Sequence, residues 1–461
     1  MLTYTFEKSG VSLYEQLYRQ IKEDILSGML KAGEKLPSKR ALAAHLEVSV
    51  ITVKNAYEQL IAEGYICGVE KRGYYVMRID QPLTAPVTTE EPACEPEEPT
   101  WFMDFVTNST AAEYFPFATW SKLMRQTILE QDTNLLRPTP STGAAELRRA
   151  IAEYLHQFRG MTVSPRQIIV GAGTETLYNL LIQLLGRDKC YAVEDPGYSK
   201  IGRIYQGNQV PLRYIAMDSG GVSYEALRRT DADVAHISPS HHYPTGIVMP
   251  IARRHELLRW ADEGAGRYIL EDDYDSEFRF VGRPIPTLFS DDEHQHVIYL
   301  NTFSKTIAPS IRISYMLLPP RLLEDYREKL GFYSCTVSSF EQYTLARFIG
   351  RGFFEKHINR MRKFYKSRRN AVVSLLENCG FSDRLTIQEQ DAGLHFLLNV
   401  ATSLSDQALT DKLAALGIRV RALSSYYHDQ SEDLHCLVIN YSGLKEERLA
   451  AALAAISQEW T

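Results

Sequence analysis

The chain is sparing with cysteine, with excess positive charge and with long apolar runs, and each shortage removes a class of protein. Its six cysteines (Cys67, Cys94, Cys190, Cys335, Cys379, Cys436) form no CxxC pair, so neither a metal cluster nor a disulfide framework is expected, and a reducing compartment suits them. No stretch of about 18 apolar residues occurs, so no spanning helix is expected. The opening MLTYTFEKSG has neither the basic start nor the apolar middle of a secretory signal. A cytoplasmic protein without membrane contact is the expectation. Lys and Arg number 51 against 57 Asp and Glu, a net charge of −6, so bulk charge does not draw the protein to nucleic acid and any DNA contact must come from local placement. What is there is an ordinary globular composition, 44% hydrophobic and 23% charged over 461 residues, a length that predicts two or three domains.

Residues 80 to 100, DQPLTAPVTTEEPACEPEEPT, replace periodic apolar positions with proline, threonine and glutamate and read as a linker held extended by like charge and proline. The expected organisation is a domain over 1–79, the linker over 80–100 and a second domain over 101–461. In the first domain Leu13, Leu17, Ile21 and Ile25 recur every fourth residue, which predicts an amphipathic helix ending near Gly28. Ser38 is placed to cap a second short helix, KRALAAHL. A third pattern sets Val53, Ala56, Tyr57, Leu60 and Ile61 on one face and stops at Gly64. YIC and YYVMR around VEKRG predict a hairpin with Gly73 at its turn. Three helices and a hairpin make a winged helix-turn-helix, mainly α.

A head of this kind holds DNA by fixing register on phosphates and laying one helix in the major groove. Ser38, Lys39 and Arg40 begin the second helix, where free amides also favour an anion. Ser49, Thr52, Lys54 and Asn55 occupy the polar face of the third helix as candidates for base edges, and Lys71 and Arg72 sit at the hairpin tip. A solvated face used for protein contacts is the plainer alternative. The order helix, PSKRALAAHLEVS, helix, GYI…KRGYYV resembles the DNA-binding domain of GntR-type transcription regulators over residues 11 to 77, which implies a double-stranded operator as partner. Val50 stands where that family carries arginine in its VSR sequence, so weaker or altered DNA specificity is expected.

From residue 101 short apolar runs (QIIVGAG, CYAVED, DVAHIS, RYILEDD, HVIYLNT, ISYMLLP) alternate with helical periods, the mark of an α/β sheet covered on both faces. Later long helices mixed with LHFLLNV and CLVINYS predict a small α+β subdomain. Several motifs together suit a pyridoxal phosphate pocket, which needs an imine-forming lysine, a carboxylate at the pyridine nitrogen and a cradle for phosphate. GAGTE after a strand offers the amides of Gly173, Thr174 and Glu175, though a glycine turn for tight packing explains it as well. EDPGY places Tyr198 after a strand, equally a core tyrosine. EDDYD brings Asp272 and Tyr274 out at a strand end, where a solvated end or a divalent cation site are alternatives. TFSKTIAPSIR carries Lys305 just after a strand, with Thr302 and Arg312 in reach of one phosphate.

In the order PTPSTGAAELR, GAGTE, EDPGY, SPSHHYPTG, EDDYD, TFSKTIAPSIRISY, these pieces resemble fold-type I aminotransferases over residues 101 to 461. Joined to the GntR-type head, the whole chain resembles the MocR family and, within it, the GabR-like regulators. The resemblance implies Lys305 as the Schiff-base lysine holding pyridoxal phosphate as an aldimine, Asp272 at the pyridine nitrogen and Tyr274 at the phenolic oxygen. It also implies Tyr198 against the ring, and Thr174, Thr302 and Arg312 around the phosphate. Two positions depart from the pattern. Tyr243 replaces the NPTG asparagine, and the segment SEDLHCLVINYS offers His435 where transaminases carry a carboxylate-binding arginine, with Arg419 and Arg421 as substitutes nearby. The reading that follows is a homodimeric regulator sensing pyridoxal phosphate, an amine or an amino acid. An active aminotransferase with an accessory head is the alternative, and the missing arginine argues against efficient turnover.

Overall fold

The computed structural model describes residues 2–7, 10–79, 100–107, 112–280, 285–389, 391, 393–429, 432–444 and 446–460. It divides into two compact units, Met1–Glu98 and Pro99–Thr461. The expected linker, residue 100 apart, lies outside the described residues.

In the first unit the helices Leu13–Leu26, Lys39–His45 and Val50–Ala62 accompany a three-stranded antiparallel sheet in the order Lys35–Leu36, Gly73–Val76, Ile66–Val69. Leu17, Ile21 and Ile25 meet Val53, Ala56, Tyr57 and Leu60 in one buried core, each large side chain stabilising the head by roughly 1.5–3 kcal/mol. Both later helices start on a capping hydroxyl. Ser38 Oγ accepts from the Ala41 amide at 3.2 Å and Ser49 Oγ from the Thr52 amide at 3.0 Å, about 1 kcal/mol apiece. Leu13 and Ile61, expected on the core face, are exposed, because a strict four-residue step drifts around a helix of 3.6 residues per turn. Gly73 opens the returning strand opposite Val69 rather than forming the turn. The bend is made by Glu70, Lys71 and Arg72, with Lys71 at φ 59°.

The second unit is built on an eight-stranded sheet in the order Ile168–Gly171, Ser314–Leu317, Val297–Thr302, Tyr268–Asp272, Val234–Ile237, Tyr191–Asp195, Leu212–Asp218, Gly221–Val222. Ser314–Leu317 and the terminal Gly221–Val222 run antiparallel to their neighbours; the rest are parallel. Central strands such as Val297–Thr302 are buried at every position, as a sheet covered by helices on both faces demands. Leu212–Asp218 escaped the sequence pattern: much of it is solvent-facing, and only Ile215 is buried. The smaller subdomain packs the helices Phe353–Glu377 and Glu446–Trp460 on an antiparallel sheet ordered Leu385–Gln388, His395–Val400, Cys436–Asn440, Arg421–Ala422. The parallel strands end at Gly171, Thr302, Asp272, Ile237 and Asp195 along one edge, the edge where open α/β sheets bind ligands. Among the described residues no helix is long and apolar enough to cross a membrane.

Candidate functional site

A cavity of about 610 Å³ opens at that edge, lined by Thr174, Glu175, Tyr198, Asp272, Tyr274, Thr302, Lys305 and Arg312 among others. Of the nine residues singled out from sequence as cofactor contacts, eight line it and Gly173 is set back beside Arg312; the cations named for a substrate carboxylate, His435, Arg419 and Arg421, are not on its wall.

The run Glu271, Asp272, Asp273 is split three ways by the strand end. Glu271 accepts from the Leu288 and Phe289 amides at 2.9 Å each. Asp273 pairs with Arg159 and accepts from Tyr299 at 2.7 Å. Asp272 alone of the three lines the cavity. Its Oδ2 accepts from the Tyr178 hydroxyl at 2.6 Å and lies 3.6 Å from His236 Nε2. His236 Nδ1 in turn meets the Tyr205 hydroxyl at 2.7 Å; with Tyr205 donating, the ring presents its Nε2 proton to the carboxylate. Asp272 Oδ1 is buried without a hydrogen-bond partner among the described residues, an arrangement that leaves one acceptor aimed at whatever fills the cavity.

Lys305 lies on the single helical turn Phe303–Thr306, directly after the strand Val297–Thr302. Burial pushes its ammonium down to about 8, while the Asp275 carboxylate holds it partly up. Asp275 is fixed by His241, whose Nδ1 lies 3.0 Å from Oδ2 and 3.4 Å from the Tyr274 hydroxyl. A lysine with so depressed a pKa is a usable nucleophile near neutral pH.

At the other end Gly173 precedes the helix Thr174–Leu185 at φ 87°, a backbone region that side chains rarely adopt. A Cβ there would collide with the Arg312 guanidinium. Arg312 also pairs with Glu175 at 3.4 Å, and Glu175 with Lys200; the Lys200 ammonium, ahead of Arg312, holds the Glu175 carboxyl below its usual range. The Thr302 hydroxyl accepts from the Ser304 amide at 3.1 Å and from Ser314 Oγ at 2.8 Å. Tyr198 stands half exposed, edge-on to Tyr243 at 5.8 Å.

Sequence reasoning missed Tyr178, His236, Ser304 and Glu194, all on the cavity wall. His236 carried a signal, a lone polar residue in the apolar run DVAHIS; Tyr178 and Ser304 carried none. Burial pushes the Glu194 carboxyl up to about 8 although it accepts from the Ser238 amide at 3.0 Å, so near neutral pH it stands as the protonated acid. His435 is not at the cavity: its amide is pinned to Asp406 Oδ1 at 2.9 Å, its ring lies 3.7 Å from the same carboxylate, and its φ of 51° turns the chain away. Arg419 pairs with Asp104 at 3.5 Å. Arg421, exposed and in register with Val438 of the last strand, lies near Tyr426, whose hydroxyl is bonded to Tyr243 at 2.7 Å.

In the head, Ser38 and Ser49 spend their hydroxyls on helix caps, and Ser49 Oγ lies 2.8 Å from Thr52 Oγ1. Lys39 lies over the Tyr74 ring at 5.2 Å and Lys54 is 3.6 Å from Glu58. Arg40, Asn55, Lys71 and Arg72 belong to the same unit and are all exposed.

Two protein families match the chain: "Bacterial regulatory proteins, gntR family" over residues 13–76 and "Aminotransferase class I and II" over 107–456. The Bacillus subtilis protein described as an uncharacterized HTH-type transcriptional regulator, YdeL, is 37% identical over 98% of this chain and 97% of its own. The probable rhizopine catabolism regulatory protein MocR of Rhizobium meliloti is 30% identical over 97% of this chain and 94% of its own. The chain belongs to the MocR family of transcription regulators. Like these MocR-type proteins it keeps both parts in one chain. The pyridoxine biosynthesis regulator PdxR of Corynebacterium glutamicum is 31% identical over 97% of this MocR chain and 95% of its own. The aminotransferase-like unit has the fold of Pyrococcus horikoshii kynurenine aminotransferase, with a TM-score of 0.69 at 22% identity over 78% of this chain and 91% of that one.

Proposed function

We propose that this MocR protein takes up pyridoxal phosphate at Lys305, and that occupancy by the cofactor, or by an amine or amino acid meeting it there, changes how paired heads engage a double-stranded operator. The observation that carries the proposal is the unpartnered, buried Asp272 Oδ1 facing the same cavity as a lysine whose charge is disfavoured by burial. Pyridoxal phosphate, when bound, supplies an aldehyde reactive toward amines and an electron-accepting ring. The protein's own groups suit it. Asp272, steered by Tyr178 and His236, would keep a proton on the ring nitrogen; Tyr198 would lie against the ring, and Tyr274 would reach the phenolic oxygen. Arg312 and Thr302, with the free amides that follow Gly173, would hold the phosphate. The name of the relative PdxR, a regulator of pyridoxine biosynthesis, supports the cofactor itself as a signal.

On the DNA side Ser38, Lys39 and Arg40 would contact phosphate, Ser49, Thr52, Lys54 and Asn55 the major groove, and Lys71 and Arg72 the neighbouring groove. A homodimer would present two heads to two half-sites. Linkage requires the ligand to bind two arrangements of the dimer unequally. The second reading, a working aminotransferase, is favoured by Arg421, a cation beside Tyr426 and Tyr243 able to take a substrate carboxylate. Absorbance of wild type and Lys305→Ala with added pyridoxal phosphate, followed by amine and 2-oxoglutarate, separates the readings. A lysine-dependent visible band together with a DNA footprint altered by the cofactor supports the sensor. Sustained keto-acid turnover selects the enzyme, and no band in either protein overturns both.

A further inference from the structure

The recognition helix begins with two apolar side chains in water. Val50 is 47% and Ile51 68% exposed, and neither belongs to the core of the head. Ile51 lies one turn before Lys54 and Asn55 on the face opposite Val53, Ala56 and Tyr57, so it stands on the outer face in line with the polar candidates. Around it the Ser49 and Thr52 hydroxyls bond each other at 2.8 Å, Lys54 lies 3.6 Å from Glu58, and Asn55 is exposed. The first turn therefore adds aliphatic methyl groups to the polar face.

In the major groove one base offers an apolar feature, the 5-methyl group of thymine, and aliphatic contact with it distinguishes thymine from cytosine. We infer that Ile51, flanked by Val50, reads thymine methyl groups in the operator. The inference rests on the DNA-reading head proposed above and adds the base that its leading turn selects. Val50, where the GntR-type pattern has arginine, removes a cation that would otherwise favour guanine or phosphate at this end of the helix.

The test starts by enriching duplexes with randomised centres on the full-length protein. Each thymine of an enriched duplex is then replaced in turn by deoxyuridine, which deletes the methyl group and nothing else. Wild type should lose about fourfold in affinity for each methyl contacted, the equivalent of ~0.8 kcal/mol for one buried methylene-sized group, at one or two positions per half-site. Ile51→Ala should bind the thymine and deoxyuridine duplexes equally at those positions. Both exposed side chains lie outside the core, and an unchanged Tm confirms that the variant folds. Equal binding by wild type at every substituted thymine overturns the inference, as does discrimination that survives in Ile51→Ala. A pool that enriches no sequence overturns the DNA-reading head itself, a result distinct from loss of the methyl preference alone.

Discussion

Lys305 gives the sharpest quantitative test, because its chemistry depends on which protonation state burial favours. Burial opposes the ammonium and Asp275 favours it, and the balance lies at about 8 against an ordinary 10.5. At pH 7.5 roughly a quarter of the lysines are neutral, against about one in a thousand for an unperturbed side chain. The same imbalance enters stability. The folded chain gives up this proton before the unfolded chain does, so below pH 8 keeping the charge costs about 3 kcal/mol, and that cost vanishes as pH rises from 8 to 10.5. Lys305→Met, neutral and of similar length, should therefore stabilise the cofactor-free protein by up to about 3 kcal/mol at pH 7 and by nothing near pH 10.5, read by urea denaturation at each pH. Trace labelling with an acylating reagent, quantified by mass spectrometry of the Lys305 peptide, should show half-maximal reactivity near pH 8. Asp275→Asn removes the group that supports the cation and should move that midpoint lower. A labelling midpoint near 10.5, or a shift upward in Asp275→Asn, refutes the reasoning.

Gly173→Ala should displace Arg312, since the new Cβ meets the guanidinium, and should weaken pyridoxal phosphate binding about tenfold or more in equilibrium dialysis; unchanged affinity would show that Arg312 is not a phosphate ligand. Asp272→Asn leaves the Tyr178 hydroxyl a partner but removes the charge, so the cofactor's ring nitrogen should lose its proton and the absorbance spectrum should change while the fold, read by circular dichroism, does not. Arg421→Ala should cost an anionic amine about tenfold in affinity, the scale of one hydrogen bond to a charged group, and cost a neutral amine little. His435→Ala should change neither, because its ring lies at Asp406.

What was legible in the sequence depended on how far apart the cooperating residues lie. Lys305, Thr302 and Arg312 fall within one short motif, and Asp272 sits at the end of an apolar run, so the strand pattern and the order of the motifs together carried them to the sheet edge. Glu194 and Tyr178 were not readable that way. Tyr178 reaches Asp272 across 94 residues of sequence, and Glu194 gains its raised pKa only from burial that the folded unit supplies. The search for a carboxylate-binding cation shows the physical reason most directly. Read along the chain, the place to look is just before the final strand, and His435 is the basic residue there. A β-sheet, however, places side chains opposite one another across strands as well as along them. Arg421 stands in register with Val438, so its charge is delivered toward Tyr426 from the neighbouring strand, 17 residues earlier in the sequence. A cation moved sideways within a sheet keeps its position in space and loses its position in the motif, which is why Arg421 and Arg419 were indistinguishable by sequence and are separated by their partners, Tyr426 and Asp104.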